Sequence, residues 1–392
     1  MPYAWGSKSF IQELTGERLE SYQPLAELWM GAHPKASSQI LNGNTLVNLH
    51  YIIAEDPCDF IGKKTAREYK DQLPFLLKVL AAEQPLSIQV HPNSKQAREG
   101  FLRENKLNVP MDSPLRNYKD EFHKPELIVA LTEFHAMCGF REWHEIAHLF
   151  KKYLSKLNIE PINNFIHNPE EESFKQFYEF IMKADLNQQS ELLENFLHHV
   201  HTAMPADPQE QLINEWSIKL SKMYPGDIGV ISPLLLNIYV LKPWEGLYLE
   251  AGIIHSYLKG AGIEIMANSD NVLRGGLTPK NVDVEELLCV LDFSPHRIKT
   301  VTPCKISDSE QSYETPAKEF ALSFIHHKKE QRTDFNASGS PEIIFCYDGS
   351  FEVENCSQIL TLDKGQSLFI PYEVEGFSIS GKGSIFRAKC KG

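Results

Sequence analysis

The sequence predicts a mainly β protein interrupted by a helical insert and followed by a second β unit. Three observations predict it. Runs of strand type recur before residue 140 and again after Pro225-Gly226, the stretch from Arg141 to Tyr224 is rich in Glu, Lys, Gln and Leu at helical spacing, and a segment near the C-terminus echoes an earlier one.

Taken in order, Leu46 to Ile53 reads as a strand. Arg67 to Glu83 carries Leu73, Leu76, Leu77 and Leu80 at helical spacing and reads as a helix, while Pro85 to His91 returns to strand type. Within the insert, helical periodicity recurs around Ile146, Phe150, Phe177, Phe180, Leu192 and Phe196. Strands are then expected at Leu234 to Leu241, Gly246 to Leu249 and Gly262 to Met266. The echo lies between Trp244–Gly252 and Leu362–Pro371, each a turn glycine, a strand and another turn, which is how jelly rolls repeat. His255 follows the first copy, whereas no histidine occurs after His327, so the C-terminal unit is expected to be structural and metal-free. The expected division is 1–140 with 226–295 as one discontinuous β domain, 141–225 as the helical insert, and 296–392 as a C-terminal jelly roll.

A chain of 392 residues suggests about two or three domains. Apolar residues at 42% and charged residues at 23% are ordinary for a folded globular protein. Met1 to Phe10 lacks the apolar stretch of a secretory signal, and the most apolar run, Leu234 to Leu241, is too short to span a bilayer. Seven cysteines without a CxxC pair fit reduced thiols, so a cytoplasmic location is expected. A formal charge of −13 repels nucleic acid and anionic membranes, so neither is an expected partner. A phosphorylated substrate would need a locally positive pocket.

Gln89-Val90-His91 alternates so that Gln89 and His91 share one face, and Lys124 and Glu126 do the same beside the apolar run Leu127 to Leu131. Downstream, Ala251-Gly252 turns the chain ahead of His255. Two imidazoles, a carboxylate and an amide oxygen suit a borderline cation such as zinc, able to polarise a substrate oxygen. Singly, each of these residues is more often an internally bonded polar group, since no CxxC or HExxH spacing ties them together. Met266 to Lys280 is a polar, glycine-bearing segment in which Arg274 offers a planar fork for phosphate or sugar oxygens and Lys280 a compact charge. Taken alone it would pass for a solvated turn. His198, His199 and His201 read as a solvated helix face, and neither they nor His326-His327 are assigned a function.

Together, Tyr3–Ser7, Ala26–Pro34, Pro85–Pro92, Asn117–Asp120, His123–Glu126 and the Met266–Lys280 loop resemble the type I mannose-6-phosphate isomerases of the bacterial kind. The matching segments run in order to about residue 295, and so many in one chain are specific where each alone is not. The resemblance implies a cupin-type barrel with a helical insert and a second jelly roll. It implies one zinc ion per chain, held by Gln89, His91, Glu126 and His255. It also implies that Lys124, His123, Asp270 and Arg274 belong to the catalytic centre, and that Ser87 and Lys280 contact phosphate or substrate. The implied reaction is the reversible conversion of mannose 6-phosphate to fructose 6-phosphate through an enediolate, by a monomer. In that scheme Lys124 shuttles the proton, Arg274 neutralises developing charge, and His123 and Asp270 serve ring opening. Two histidines and a carboxylate also fit an iron or manganese cupin oxygenase, which the amide ligand and basic loop disfavour. A third reading is a non-catalytic sugar-binding cupin.

Overall fold

A computed structural model describes the chain except residues 17–22, 43–44, 155–156, 337–338 and 392. A short helix α1 (Phe10–Thr15) and strand β1 (Glu27–Met30) precede the hairpin β2 (Gln39–Asn42) and β3 (Thr45–Asn48). Helices α2 (Leu49–Glu55), α3 (Pro57–Ile61) and α4 (Lys63–Glu68) lead to β4 (Phe75–Ala82), β5 (Ile88–Val90), α5 (Ser94–Lys106), β6 (Glu126–Ala130) and β7 (Phe134–Phe140).

Two expectations fail here. The strand expected over Leu46 to Ile53 ends at Asn48, and α2 takes the rest, burying Leu49, Ile52 and Ile53 on one face. Of the helix expected over Arg67 to Glu83 only Arg67 and Glu68 are helical, at the end of α4, and all its leucines but Leu73 lie in β4, all eight residues of which are buried. A strand covered on both faces shows a continuous apolar run, and leucines in such a run match helical spacing by accident.

After β7 come, among the described residues, the helices α6 (Trp143–Tyr153), α7 (Glu160–His167), α8 (Glu171–Lys183), α9 (Leu186–Thr202) and α10 (Pro208–Met223). Their ends follow local chemistry. Asp185 caps α9, its carboxylate accepting from Gln188 N while Gln188 reaches back to Asp185 N, and Asp207 caps α10 ahead of Pro208. Phe150, Phe165, Phe174, Phe177 and Phe196 are fully buried and pack with Ile88, Val90 and Met137, so the insert and the underside of the β unit share one core. His199 is buried rather than solvated, its Nδ1 bonded to Asn195 O within the helix.

A 3-10 turn (Ile228–Ile231) and α11 (Ser232–Leu235) return the chain to β8 (Leu236–Leu241), β9 (Gly246–Leu249), β10 (His255–Ala267), β11 (Leu273–Gly276) and α12 (Val284–Val290). β10 organises the site. Its first residues pair with β5 and β7, and its later ones with β4 and β6, so one long strand belongs to both faces of a nine-stranded β unit. The crossing point is Gly260, at φ +123°, where a Cβ would lie 2.6 Å from Glu133 O.

The remaining strands are β12 (Cys304–Lys305), β13 (Glu310–Tyr313), β14 (Ala321–Asn336), β15 (Glu342–Glu354), β16 (Ile359–Asp363), β17 (Ser367–Ile370) and β18 (Gly376–Lys389). They form a separate seven-stranded sheet whose Phe345 and Phe386 share a core with Leu77 and Val79 of β4. None of the helices is long and apolar enough to cross a membrane, among the described residues.

Candidate metal centre

β5 is only three residues long, yet it sits between β10 and β11. Its Gln89 lies opposite His255 on one side and opposite Arg274 on the other. Residues paired across antiparallel strands point to the same face, so three strands set Arg274, Gln89 and His255 in one row. His91 directly follows β5, and Glu126 opens β6 opposite Met266 of β10.

The ligand atoms of His91, Glu126 and His255 all lie within 4.8 Å of one another, and no other such cluster of His, Cys, Asp and Glu occurs among the described residues. His91 Nε2 is 3.2 Å from Glu126 Oε1 and His255 Nε2 is 3.7 Å from Oε2. All three side chains are almost fully buried.

Tautomer decides what those distances mean. His91 Nδ1 meets Asn271 O at 2.8 Å and His255 Nδ1 meets Ile253 O at 2.9 Å. A carbonyl only accepts, so each Nδ1 carries the proton and each Nε2 presents a lone pair. Two lone pairs therefore face one carboxylate, and His91 Nε2 has no hydrogen-bond partner. The 3.2 Å approach is a contact between two acceptors, an arrangement that a cation resolves. Backbone-bonded imidazoles with Nε2 free are the usual preparation of histidines for a metal, and the N2O donor set plus the Gln89 amide suits zinc.

The electrostatics agree. His255 is pushed down to about 4 by burial and then by neighbouring His91, and His91 is lowered by burial and then by the Lys124 ammonium. Both stay neutral and ready to ligate. Burial alone would raise the Glu126 carboxyl, but the Lys124 ammonium beside it outweighs burial and holds it well below the usual range. Lys124 Nζ lies 2.8 Å from Glu126 Oε1 and is itself buried.

Gln89 Nε2 donates to Ser87 Oγ at 3.4 Å, which leaves its carbonyl oxygen for the ion and brings Ser87 to the edge of the row. Arg274 and Lys280 have no carboxylate partner among the described residues. Burial lowers Arg274, and burial, then Arg274 and Lys35, lower Lys280. A lysine depressed by two neighbouring cations marks a positive rim on an otherwise acidic protein.

Asp270 is committed to Lys35 at 2.8 Å and His33 at 3.4 Å. Burial opposes its charge, but His33 and Lys35 prevail and keep it ionised. His123 stands apart from the cluster: its Nε2 bonds Glu319 Oε1 at 2.7 Å, and the crevice it lines is built from Tyr69, Phe122, Asn268 and Glu319.

Sequence reasoning missed a second buried charge group. Lys78 of β4 reaches Glu264 at 3.0 Å and Glu27 at 3.6 Å, beneath Trp29 with its ammonium 5.1 Å from the ring centroid. Burial opposes the ammonium, yet Glu264 and then Glu27 raise its pKa. The available signal was one lysine in an otherwise apolar run of eight.

Residues 1–143 match the model of the phosphomannose isomerase type I catalytic domain, and residues 309–390 match that of the mannose-6-phosphate isomerase cupin domain. Mannose-6-phosphate isomerase of Escherichia coli K12 is 40% identical over 390 residues, 98% of this chain and 96% of that protein. The chain belongs to the type I phosphomannose isomerase family. The human member is 35% identical over 316 residues, 76% of this chain and 72% of that protein. Among solved phosphomannose isomerases, a variant from Salmonella typhimurium superposes with a TM-score of 0.91 at 38% identity, covering 100% of this chain and 97% of that one. A zinc-bound mannose 6-phosphate isomerase gives a TM-score of 0.91 at 39% identity with the same coverage.

Proposed function

We propose that the chain is a zinc-dependent aldose–ketose isomerase interconverting D-mannose 6-phosphate and D-fructose 6-phosphate. The observation that carries the reading is the pair of buried Nε2 lone pairs from His91 and His255 converging on Glu126. Family membership and the zinc-bound relative support it. Gln89, His91, Glu126 and His255 would hold one zinc ion, which when bound supplies Lewis acidity toward sugar oxygens.

The chain's own residues supply the rest. Arg274 and Lys280 hold phosphate or sugar oxygens from the positive rim, with Ser87 beside them, and binding at that remote end orients the reacting carbons. Lys124 Nζ, next to Glu126, would act as a free amine to take the C2 proton as the enediolate forms and, as the resulting ammonium, return it to C1 as the enediolate collapses. Arg274 stays protonated and offsets the enediolate charge. Asp270, ionised between His33 and Lys35, orders the loop that carries Arg274, while His123, held by Glu319 apart from the metal cluster, is reserved for ring opening.

The functional unit is proposed to be a monomer, since a single chain contributes the whole cluster. A cytoplasmic location is in keeping with seven unpaired cysteines. The division into a discontinuous catalytic β domain, a helical insert and a C-terminal jelly roll is part of the same reading. The decisive experiment follows mannose 6-phosphate conversion by metal-stripped protein before and after zinc is restored. Activity should vanish and return; full turnover without any metal would refute the reading.

A further inference from the structure

The run Asn117-Tyr118-Lys119-Asp120 lies outside the cluster, yet it is tied to His91 by a continuous set of hydrogen bonds. The link is Asn271, which is fully buried. Its backbone carbonyl fixes His91 Nδ1 at 2.8 Å. Its side-chain oxygen accepts from Lys119 N at 2.7 Å and Asp120 N at 3.2 Å, and its amide donates to Asp120 O and Phe122 O, both at 2.9 Å.

Asp120 answers from the other side. Its Oδ1 accepts from Ser269 Oγ at 2.8 Å, Phe122 N at 2.9 Å and Asn271 Nδ2 at 3.2 Å, and its Oδ2 accepts from Asp270 N at 2.9 Å. Every partner is a donor, so only a carboxylate satisfies the whole set. The run is in turn anchored to α5, where Glu104 accepts from the Asn117 and Tyr118 amides.

We propose that Asp120 is a positioning residue that couples zinc affinity to sugar-phosphate affinity. It holds the Ser269–Asn271 turn so that the Asn271 carbonyl sets the His91 tautomer, and so that Asp270 and Arg274 leave the turn at the substrate rim. The proposal rests on the isomerase reading above. Local turn chemistry alone would predict that losing Asp120 lowers stability and nothing else; the coupling predicts that metal and substrate affinity fall together.

Asp120→Asn tests it, because the amide NH2 must face either the Asp270 N–H or the donors at Oδ1. Zinc affinity is read by competition with a chromophoric chelator, without reference to activity. The zinc dissociation constant should rise about tenfold, and KM for mannose 6-phosphate at saturating zinc should rise several-fold while kcat changes less. Zinc affinity and KM both within about twofold of the parent, with only a lower melting midpoint, would overturn the proposal. Should Asp120→Asn fail to fold, Ser269→Ala removes one donor from the same set; it should weaken zinc roughly threefold, and parent-like zinc binding there would equally overturn it. Parental protein that binds zinc but isomerises nothing would refute the functional reading and leave the zinc comparison standing.

Discussion

Lys124 Nζ and His91 Nε2 approach the same oxygen of Glu126, at 2.8 Å and 3.2 Å. The carboxylate thus serves a cation on one side and a ligand atom on the other. Removing each partner should separate binding from chemistry. Lys124→Met is expected to keep zinc and to lower kcat by roughly 10²–10⁴-fold, the range of a lost acid–base group. Glu126→Gln should instead lose zinc. Steady-state kinetics with metal analysis distinguishes them, and a Lys124→Met enzyme with near-parental kcat would remove the lysine from the proton path.

Metal-stripped protein should lose stability as pH falls from the ordinary histidine value of 6.5 toward about 4, where folded His255 titrates. Across that window the unfolded chain binds the proton and the folded one does not, so stability rises with pH. The gap is worth on the order of 3 kcal/mol for this one residue. Glu126, with its carboxyl depressed in the fold, adds stability that is present above 4.5 and lost on further acidification, in the same direction. Melting midpoints in chelator at a series of pH values should fall accordingly; a flat profile would contradict the assigned burial of His255.

The positive rim makes a prediction about salt. Arg274→Ala should raise KM for mannose 6-phosphate by roughly 10–100-fold, the value of a charge-assisted hydrogen bond to phosphate. Lys280→Ala, at an exposed position, should cost less. The Lys280 contribution should shrink as ionic strength increases, which a KM series in sodium chloride would reveal.

Lys78 predicts a stability effect of known sign. Lys78→Met leaves Glu264 and Glu27 buried without their cation and should cost about 3–5 kcal/mol in urea unfolding. Adding Glu264→Gln should recover part of that loss, because the second change removes the stranded charge. A strictly additive double variant would show that the 3.0 Å pair carries no coupling.

Strand alternation grouped Gln89 with His91, and Lys124 with Glu126, as candidates, but only the family resemblance joined them to His255 as one ligand set. The helices of the insert were legible because Ile146, Phe150, Phe177, Leu192 and Phe196 recur at helical spacing, and all five are buried in one core. β4 was not, since a strand buried on both faces loses its alternation, and with it went the significance of Lys78. Nor could the pattern show that His123 turns toward Glu319, or that His91 depends on Asn271, because those partners lie 196 and 180 positions away. Long-range register decides such contacts, and a local window contains none of it.

Trp244 of the catalytic unit stacks against Phe386 of β18, and Phe345 and Phe386 are continuous with the packing around β4. The C-terminal sheet is therefore part of the wall that keeps β4, and through it β10 and His255, in place. Cutting the polypeptide ahead of residue 309 would strip aromatic cover from that wall and leave an oily, aggregation-prone face. The C-terminal sheet therefore cannot be trimmed away without loosening the strands that hold His255.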